Sequence, residues 1–212
     1  KNTPRMDRRA HIKKLMALGA ASVAPAALWA GTERSEEAAV KSERAFGYKR
    51  SVSHWTVDNL DWDDLCGWLL QEGVEAVDLV GPENWHHLKK HGLDSSMCNG
   101  AELNLVDGFI HEEFEGVLHE RYRAMIPRVA KAGYKNLICF SGNRRGLSEE
   151  EGLEQAVKAL QPMVALAEEH GVVLQMELFN SLVDHPDYMA DGSGWGIELA
   201  RALNSPSFKL LY

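Results

Sequence analysis

The chain has no cysteine framework. Its three cysteines, Cys66, Cys98 and Cys139, are odd in number and irregular in spacing, which excludes a disulfide scaffold and gives no zinc-binding pattern. Each lies in or beside an apolar segment, so they read as buried free thiols. Glycine-rich phosphate loops are missing too. Ser53-His54-Trp55-Thr56-Val57-Asp58, which follows the start of the first strand-like run, contains no glycine. A dinucleotide fingerprint is therefore absent, and no Walker loop occurs elsewhere. Cationic charge is scarce: 23 Lys and Arg stand against 31 Asp and Glu, a formal net charge of −8. With no basic stripe interleaved by aromatics, such a chain repels phosphate backbones, which argues against a nucleic-acid partner. Long apolar runs are limited to Leu15–Ala30, whose 16 residues are short for a hydrocarbon core of ~30 Å.

That one run has the flanks of an export signal. Met6-Asp7-Arg8-Arg9-Ala10-His11-Ile12-Lys13-Lys14 is a charged n-region, Leu15–Ala30 an apolar h-region, and Ala24-Pro25-Ala26 and Ala30 supply small residues for cleavage. Arg8-Arg9 resembles a twin-arginine signal, with His11 where a large apolar residue is usual. The expectation is a protein exported, for example to the periplasm, touching a membrane only through an uncleaved signal. Residues 31–45 read as a polar linker. Residues 1–30 hold six of the basic and one of the acidic side chains, so the remainder carries 17 against 30, a net −13.

From Phe46 onward, short apolar runs alternate with longer helical patterns. Strands are expected over Ser51–Val57, Val74–Val80, Ser95–Asn99, Asn136–Ser141 and Val172–Asn180, with a sixth beginning at Phe208. Between them, helical periodicity runs over Asp61–Gln71, Asn84–Lys90, Glu113–Lys131 (inner side Val117, Tyr122, Ile126 and Val129), a stretch opened by Ser148 with Glu151 in capping-box spacing, and Gly194–Leu203. Gly73, Gly92, Gly133 and Gly171 follow as stops. A repeated helix–Gly–strand rhythm is a βα series, because parallel strands need such crossovers. Without a glycine turn after strand one, the expectation is a (β/α)8 TIM barrel rather than an open Rossmann sheet. Residues 46–212 are shorter than the ~250 of a typical barrel, so the sequence is expected to be an incomplete barrel, inactive as it stands.

In a barrel, function collects at the C-terminal ends of strands. The fifth run, Val172-Val173-Leu174-Gln175-Met176-Glu177-Leu178-Phe179-Asn180, carries a carboxylate there. Strand side chains alternate, so Val173, Gln175, Glu177 and Phe179 share one face and Val172, Leu174, Met176 and Leu178 the other. A carboxylate in that setting needs a cation, a metal or a proton of its own. Glu177 is therefore the lead catalytic and metal-ligating candidate. His54 and Trp55 after strand one, Asn143 after strand four, and Asn180 and His185 after strand five are the substrate-binding candidates. Asp78 reads mainly as a structural hydrogen-bonding group, and His86, His87 and His91 as solvated or packing residues.

These residues also carry a resemblance. Met176-Glu177-Leu178-Phe179-Asn180 with His185-Pro186-Asp187-Tyr188, together with Val77-Asp78-Leu79-Val80-Gly81-Pro82-Glu83-Asn84-Trp85 and Cys139-Phe140-Ser141-Gly142-Asn143-Arg144, resembles the hydroxypyruvate isomerase group of the xylose isomerase-like barrel superfamily. The resemblance implies an isomerase of a small sugar or keto acid, working by proton transfer through an enediolate with a divalent metal, Mg2+ or Mn2+, held by oxygen ligands. It makes Glu177 the strand-five glutamate and implies a strand-eight partner, which this sequence does not contain. Related epimerases carry an acidic residue six positions after the first; Val183 stands there, which argues against a ketose 3-epimerase. A non-catalytic sugar-binding barrel and a related phosphodiester-cleaving barrel are the alternatives, and an oligomer is left open.

Overall fold

The computed structural model describes residues 48–212. The segments expected as an export signal and a linker, and Phe46, lie outside them. Six strands and five helices alternate: β1 (Ser51–Ser53), α1 (Trp62–Gln71), β2 (Ala76–Val80), α2 (Trp85–His91), β3 (Asp94–Cys98), α3 (Glu112–Ala132), β4 (Asn136–Cys139), α4 (Glu149–His170), β5 (Val173–Glu177), α5 (Ser193–Leu203) and β6 (Phe208–Leu211). The strands form one sheet in the order β1-β2-β3-β4-β5-β6, every neighbouring pair parallel. Consecutive parallel neighbours joined by helices make the mostly parallel α/β arrangement of an incomplete TIM barrel.

Local signals explain the element ends. The Asp61 carboxylate accepts the Asp63 and Asp64 amides and starts α1. Ser148 and Glu151 close a reciprocal capping box on α4, satisfying N–H groups that have no partner within the helix. Gly92, Gly133 and Gly171 end α2, α3 and α4 in the left-handed region at φ 73°, 84° and 67°, where a Cβ is strained.

Helices cover one face of the sheet. Val172, Leu174 and Met176 are fully buried there, as are Leu137 and Cys139 from β4 and Leu160 and Ala159 from α4. The expected aliphatic face of β5 is thus the helix-packed one. Several element ends move from the expectation: β2 starts at Ala76 rather than Val74, β4 ends at Cys139 rather than Ser141, and β5 runs over Val173–Glu177 rather than to Asn180. Strand β1 stops at Ser53, because His54–Thr56 turns into a single 3-10 turn in which the Val57 amide donates to the His54 carbonyl. On α3 the inward position is Leu118 rather than Val117, which is 37% exposed; Leu118, Tyr122, Met125, Ile126 and Val129 form the buried stripe. Cys66, Cys98 and Cys139 are free and buried. No helix among the described residues is long and apolar enough to cross a membrane.

Candidate active site

The opposite face of the sheet carries polar side chains among apolar ones. In parallel register Ser51 lies beside Ala76 and Ser53 beside Asp78; Ile138 lies beside Gln175, and Glu177 beside Leu211. A cavity of about 460 Å3 opens on this face, lined by Ser51, Ser53, Asp78, Ser96, Asn136, Gln175 and Glu177, with Trp55, Leu79, Met97, Leu211 and Tyr212 as its apolar walls.

Two kinds of polar group line it. Towards β1–β4, Ser51, Asp78, Ser96 and Asn136 are hydrogen-bonded to one another. Asp78 accepts from the Ser51 hydroxyl at 2.9 Å and from the Ser96 hydroxyl, and the Asn136 amide donates to the Ser96 carbonyl at 2.8 Å. The structural hydrogen-bonding role expected for Asp78 is what these contacts describe. Glu177 differs: among the described residues no hydrogen bond or ion pair reaches its carboxylate, and burial alone pushes its pKa up to about 6. Desolvation disfavours the charged form, and no cation offsets it.

The end of β5 is held by its neighbours. The Tyr188 hydroxyl donates to the Glu177 carbonyl at 3.2 Å and accepts the Ser141 amide at 3.0 Å, bridging the ends of β4 and β5 beyond their last ladder bonds. The Ala190 amide donates to the Ser141 hydroxyl at 3.0 Å and the Phe179 amide to the Ala190 carbonyl at 3.2 Å. Arg144 reaches across to the Tyr188 carbonyl and, at 3.0 Å, to Asp191. The loop after β5 is thereby fastened to the loop after β4.

The substrate-binding candidates are distributed unevenly. Trp55 lines the cavity and is 65% exposed. His54, its neighbour, stacks on Trp62 with ring centroids 4.3 Å apart, outside the cavity lining. Burial lowers its pKa, against the opposing pull of Asp58 and Glu83. Asn143 lies in the fastening: it bridges Tyr188 in antiparallel fashion, its carbonyl contacts His111 at 2.9 Å, and its amide donates to the Pro186 carbonyl at 3.5 Å. The Asn180 side chain accepts the Leu182 amide at 3.0 Å, closing its own turn. His185 stacks on Phe179 at 4.1 Å. The candidates brought to the cavity are thus Glu177 and Trp55. His87 and His91 flank Asp63, which also pairs with Lys90, away from the cavity lining.

Sequence reasoning put Gln175 on the Glu177 face but assigned it no role, and passed over Ser51, Ser53, Ser96 and Asn136. The signal was alternation for Ser51 and Ser53 around Val52 and for Gln175 and Glu177 around Met176; Ser96, within Asp94-Ser95-Ser96, and Asn136, at the start of β4, carried none. Among the described residues no group of three His, Cys, Asp or Glu side chains could hold a metal ion. A hard divalent cation takes about six ligands or more, and Glu177 offers one carboxylate. The described donor set does not by itself fit a metal, so no chemical step is routed through one.

No protein-family model and no curated protein matches the chain. Solved structures do. A family 2 AP endonuclease from Brucella melitensis superposes with a TM-score of 0.66 at 16% identity, covering 77% of this chain and 67% of that one. The IolI protein, solved with a bound zinc atom, gives 0.63 at 13%, covering 77% and 62%. A D-psicose 3-epimerase from Clostridium cellulolyticum H10, solved with D-tagatose, gives 0.60 at 12%, again covering 77% and 62%. The chain thus spans about two thirds of the length of these structures or less. At such identities the likeness is one of fold alone, that of a TIM barrel of which the described residues form six consecutive strands.

Proposed function

We propose that the protein is an isomerase or epimerase of a small sugar or keto acid, of the hydroxypyruvate isomerase-like kind, with Glu177 as its proton-transferring base. The observation that carries the reading is the Glu177 carboxylate: partnerless among the described residues, half-buried, at a strand's C-terminal end beside a hydroxyl- and amide-lined cavity. A carboxylate raised to about 6 is ionised at neutral pH yet a better proton acceptor than an ordinary glutamate. In the proposed step, Glu177 takes the proton from the carbon next to the carbonyl. The C–H electron pair forms the carbon–carbon double bond of the enediolate as the carbonyl π pair moves onto its oxygen. The hydroxyl proton of the first carbon passes to that oxygen, and the same carboxyl returns the abstracted proton to the former carbonyl carbon. A well-placed carboxylate contributes about 10²- to 10⁴-fold by such transfer. Trp55 would cover the apolar face of the substrate, while His54, Asn143, Asn180 and His185, expected as substrate contacts, would brace the rim instead.

A divalent cation, Mg2+ or Mn2+ by the oxygen character of the ligand, belongs to this reading as a group that Glu177 would hold together with ligands the described residues do not supply; bound, it would polarise the substrate carbonyl. Export is part of the proposal, resting on the twin-arginine-like segment of residues 6–30. Deuterium uptake tests the function. The whole protein, incubated in D2O with hydroxypyruvate or a ketose, should exchange the carbon-bound proton next to the carbonyl, and Glu177→Gln should lower the rate at least 100-fold. Binding without exchange would favour a non-catalytic sugar-binding barrel, and an unchanged rate in the variant would remove Glu177 from the chemistry.

A further inference from the structure

His111, at the N-cap of α3, is 4% exposed, and its side chain caps no amide of that helix. The ring turns back instead. The Gly108 amide donates to Nδ1 at 3.2 Å, and Nε2 lies 2.9 Å from the Asn143 carbonyl oxygen. An amide can only donate and a carbonyl only accept, so this pair of partners admits one form of the ring: Nδ1 bare and Nε2 carrying the proton. The other tautomer and the imidazolium would each set a proton on Nδ1 against the Gly108 N–H. Asp107, the carboxylate whose charge feels the ring, is already engaged by Asn104 and Arg145. Packing keeps the ring where it is: a Cβ on Gly142 would come within 2.6 Å of Cε1, and the Phe114 ring stands edge-on at 5.6 Å.

A run of contacts leads from this ring to Glu177. Asn143, whose carbonyl takes the Nε2 proton, bridges Tyr188, and the Gly142 carbonyl accepts the Met189 amide at 3.0 Å. The Tyr188 hydroxyl in turn donates to the Glu177 carbonyl. On the reading of Glu177 as the base, we infer that His111, in its neutral Nε2–H form, is a positioning residue for Glu177: it seats Gly142 and Asn143 so that Tyr188 holds the end of β5. His111 is not among the residues that line the cavity. Its effect reaches the carboxylate through backbone groups, and a base displaced by about 1 Å loses on the order of 100-fold in rate. The seating of residues 108–111 on the end of β4 thereby belongs to the site as well as to the scaffold, as the layer that holds a reacting group in place.

Nitrogen-15 NMR of the whole protein, labelled in histidine and assigned by the contact with the Phe114 ring, reads the form of His111. The expected signature at neutral pH is a bare Nδ1 and a protonated Nε2. An Nδ1–H ring, an imidazolium or a mixture of tautomers overturns the inference, and because this signature is read on wild type it decides even where a variant does not fold. His111→Phe keeps an aromatic ring and removes both bonds. In that variant the Glu177 midpoint, read by carbon-13 NMR, should fall from about 6 towards 4.5 as the end of β5 opens to water. The kcat for deuterium uptake from D-fructose should drop about 100-fold while KM changes less than about threefold. His111→Gln, whose carboxamide can accept from Gly108 and donate to Asn143, should recover about tenfold or more of that loss. A folded His111→Phe with the Glu177 midpoint unmoved confines His111 to the scaffold and overturns the inference. The expected ring signature and midpoint shift, in a wild-type protein that exchanges no deuterium, support the positioning of Glu177 and sink only the proton-transfer reading.

Discussion

Glu177 carries the account at the scale of single residues. Its pKa is raised from an ordinary 4.5 to about 6 by burial, so the folded state holds a proton that the unfolded chain releases at lower pH. By linkage, stability falls as pH rises from about 4.5 to 6 and the loss persists above. Glu177→Gln removes that ionisation. The melting temperature of the variant minus that of wild type should therefore increase by a few degrees between pH 4 and pH 7.5, where about 1 kcal/mol corresponds to 2–4 °C for a domain of this size. A pH-independent difference would contradict the assigned cause. Tyr188 acts one step back. Its hydroxyl ties the Glu177 carbonyl to the Ser141 amide, so Tyr188→Phe leaves both backbone groups buried without that partner. Urea denaturation should show a loss of about 1–3 kcal/mol.

Among the elements, the strand that matters most was also the most legible. The alternation of Val173, Gln175 and Glu177 against Val172, Leu174 and Met176 fixes which face is buried, because a one-residue slip would invert the whole set. The helix stops at Gly92, Gly133 and Gly171 and the capping box at Ser148 were equally readable, since each is a local requirement met by its own residue. What escaped the sequence was set mainly by contacts distant along the chain. Asn143 carries no local mark of its partner Tyr188, which lies beyond α4 and β5, and His185 stacks back on Phe179 within its own loop, a contact no residue there announces. Strand β1 ended early because residues 54–56 fold back into a turn that no glycine or proline announces. The approach of residues 108–110 to the end of β4 was likewise invisible: the Phe109 and Ile110 amides donate to the Phe140 and Ser141 carbonyls at 3.1 Å. A Cβ at Gly108 would press into those same carbonyl oxygens. Gly108→Ala should therefore destabilise the protein by about 2 kcal/mol or more, read as a lower urea midpoint at unchanged m-value; a neutral substitution would show that this loop is not seated on β4.

On the scale of the whole molecule, the acidic chain, the buried thiols and the six-stranded parallel sheet describe a scaffold with helices on one face and a polar cavity on the other. Burial raises the pKa of Cys66, Cys98 and Cys139, that of Cys98 to about 11, so none offers a thiolate at neutral pH. A thiol reagent should titrate no cysteine in the native protein within minutes and three after unfolding in urea. Rapid native labelling would place a thiol at the surface. The likeness to sugar epimerases and endonucleases is one of fold, and a fold hosts many activities, so the functional claim rests on the carboxylate at the cavity and not on the neighbours. The titration of that carboxylate is the most direct measurement of the claim. Carbon-13 NMR of the labelled glutamate side chains, assigned through Glu177→Gln, should show Glu177 titrating with a midpoint near 6; a midpoint at or below 4.5, the ordinary value, would mean a solvated or ion-paired carboxylate and would contradict the account.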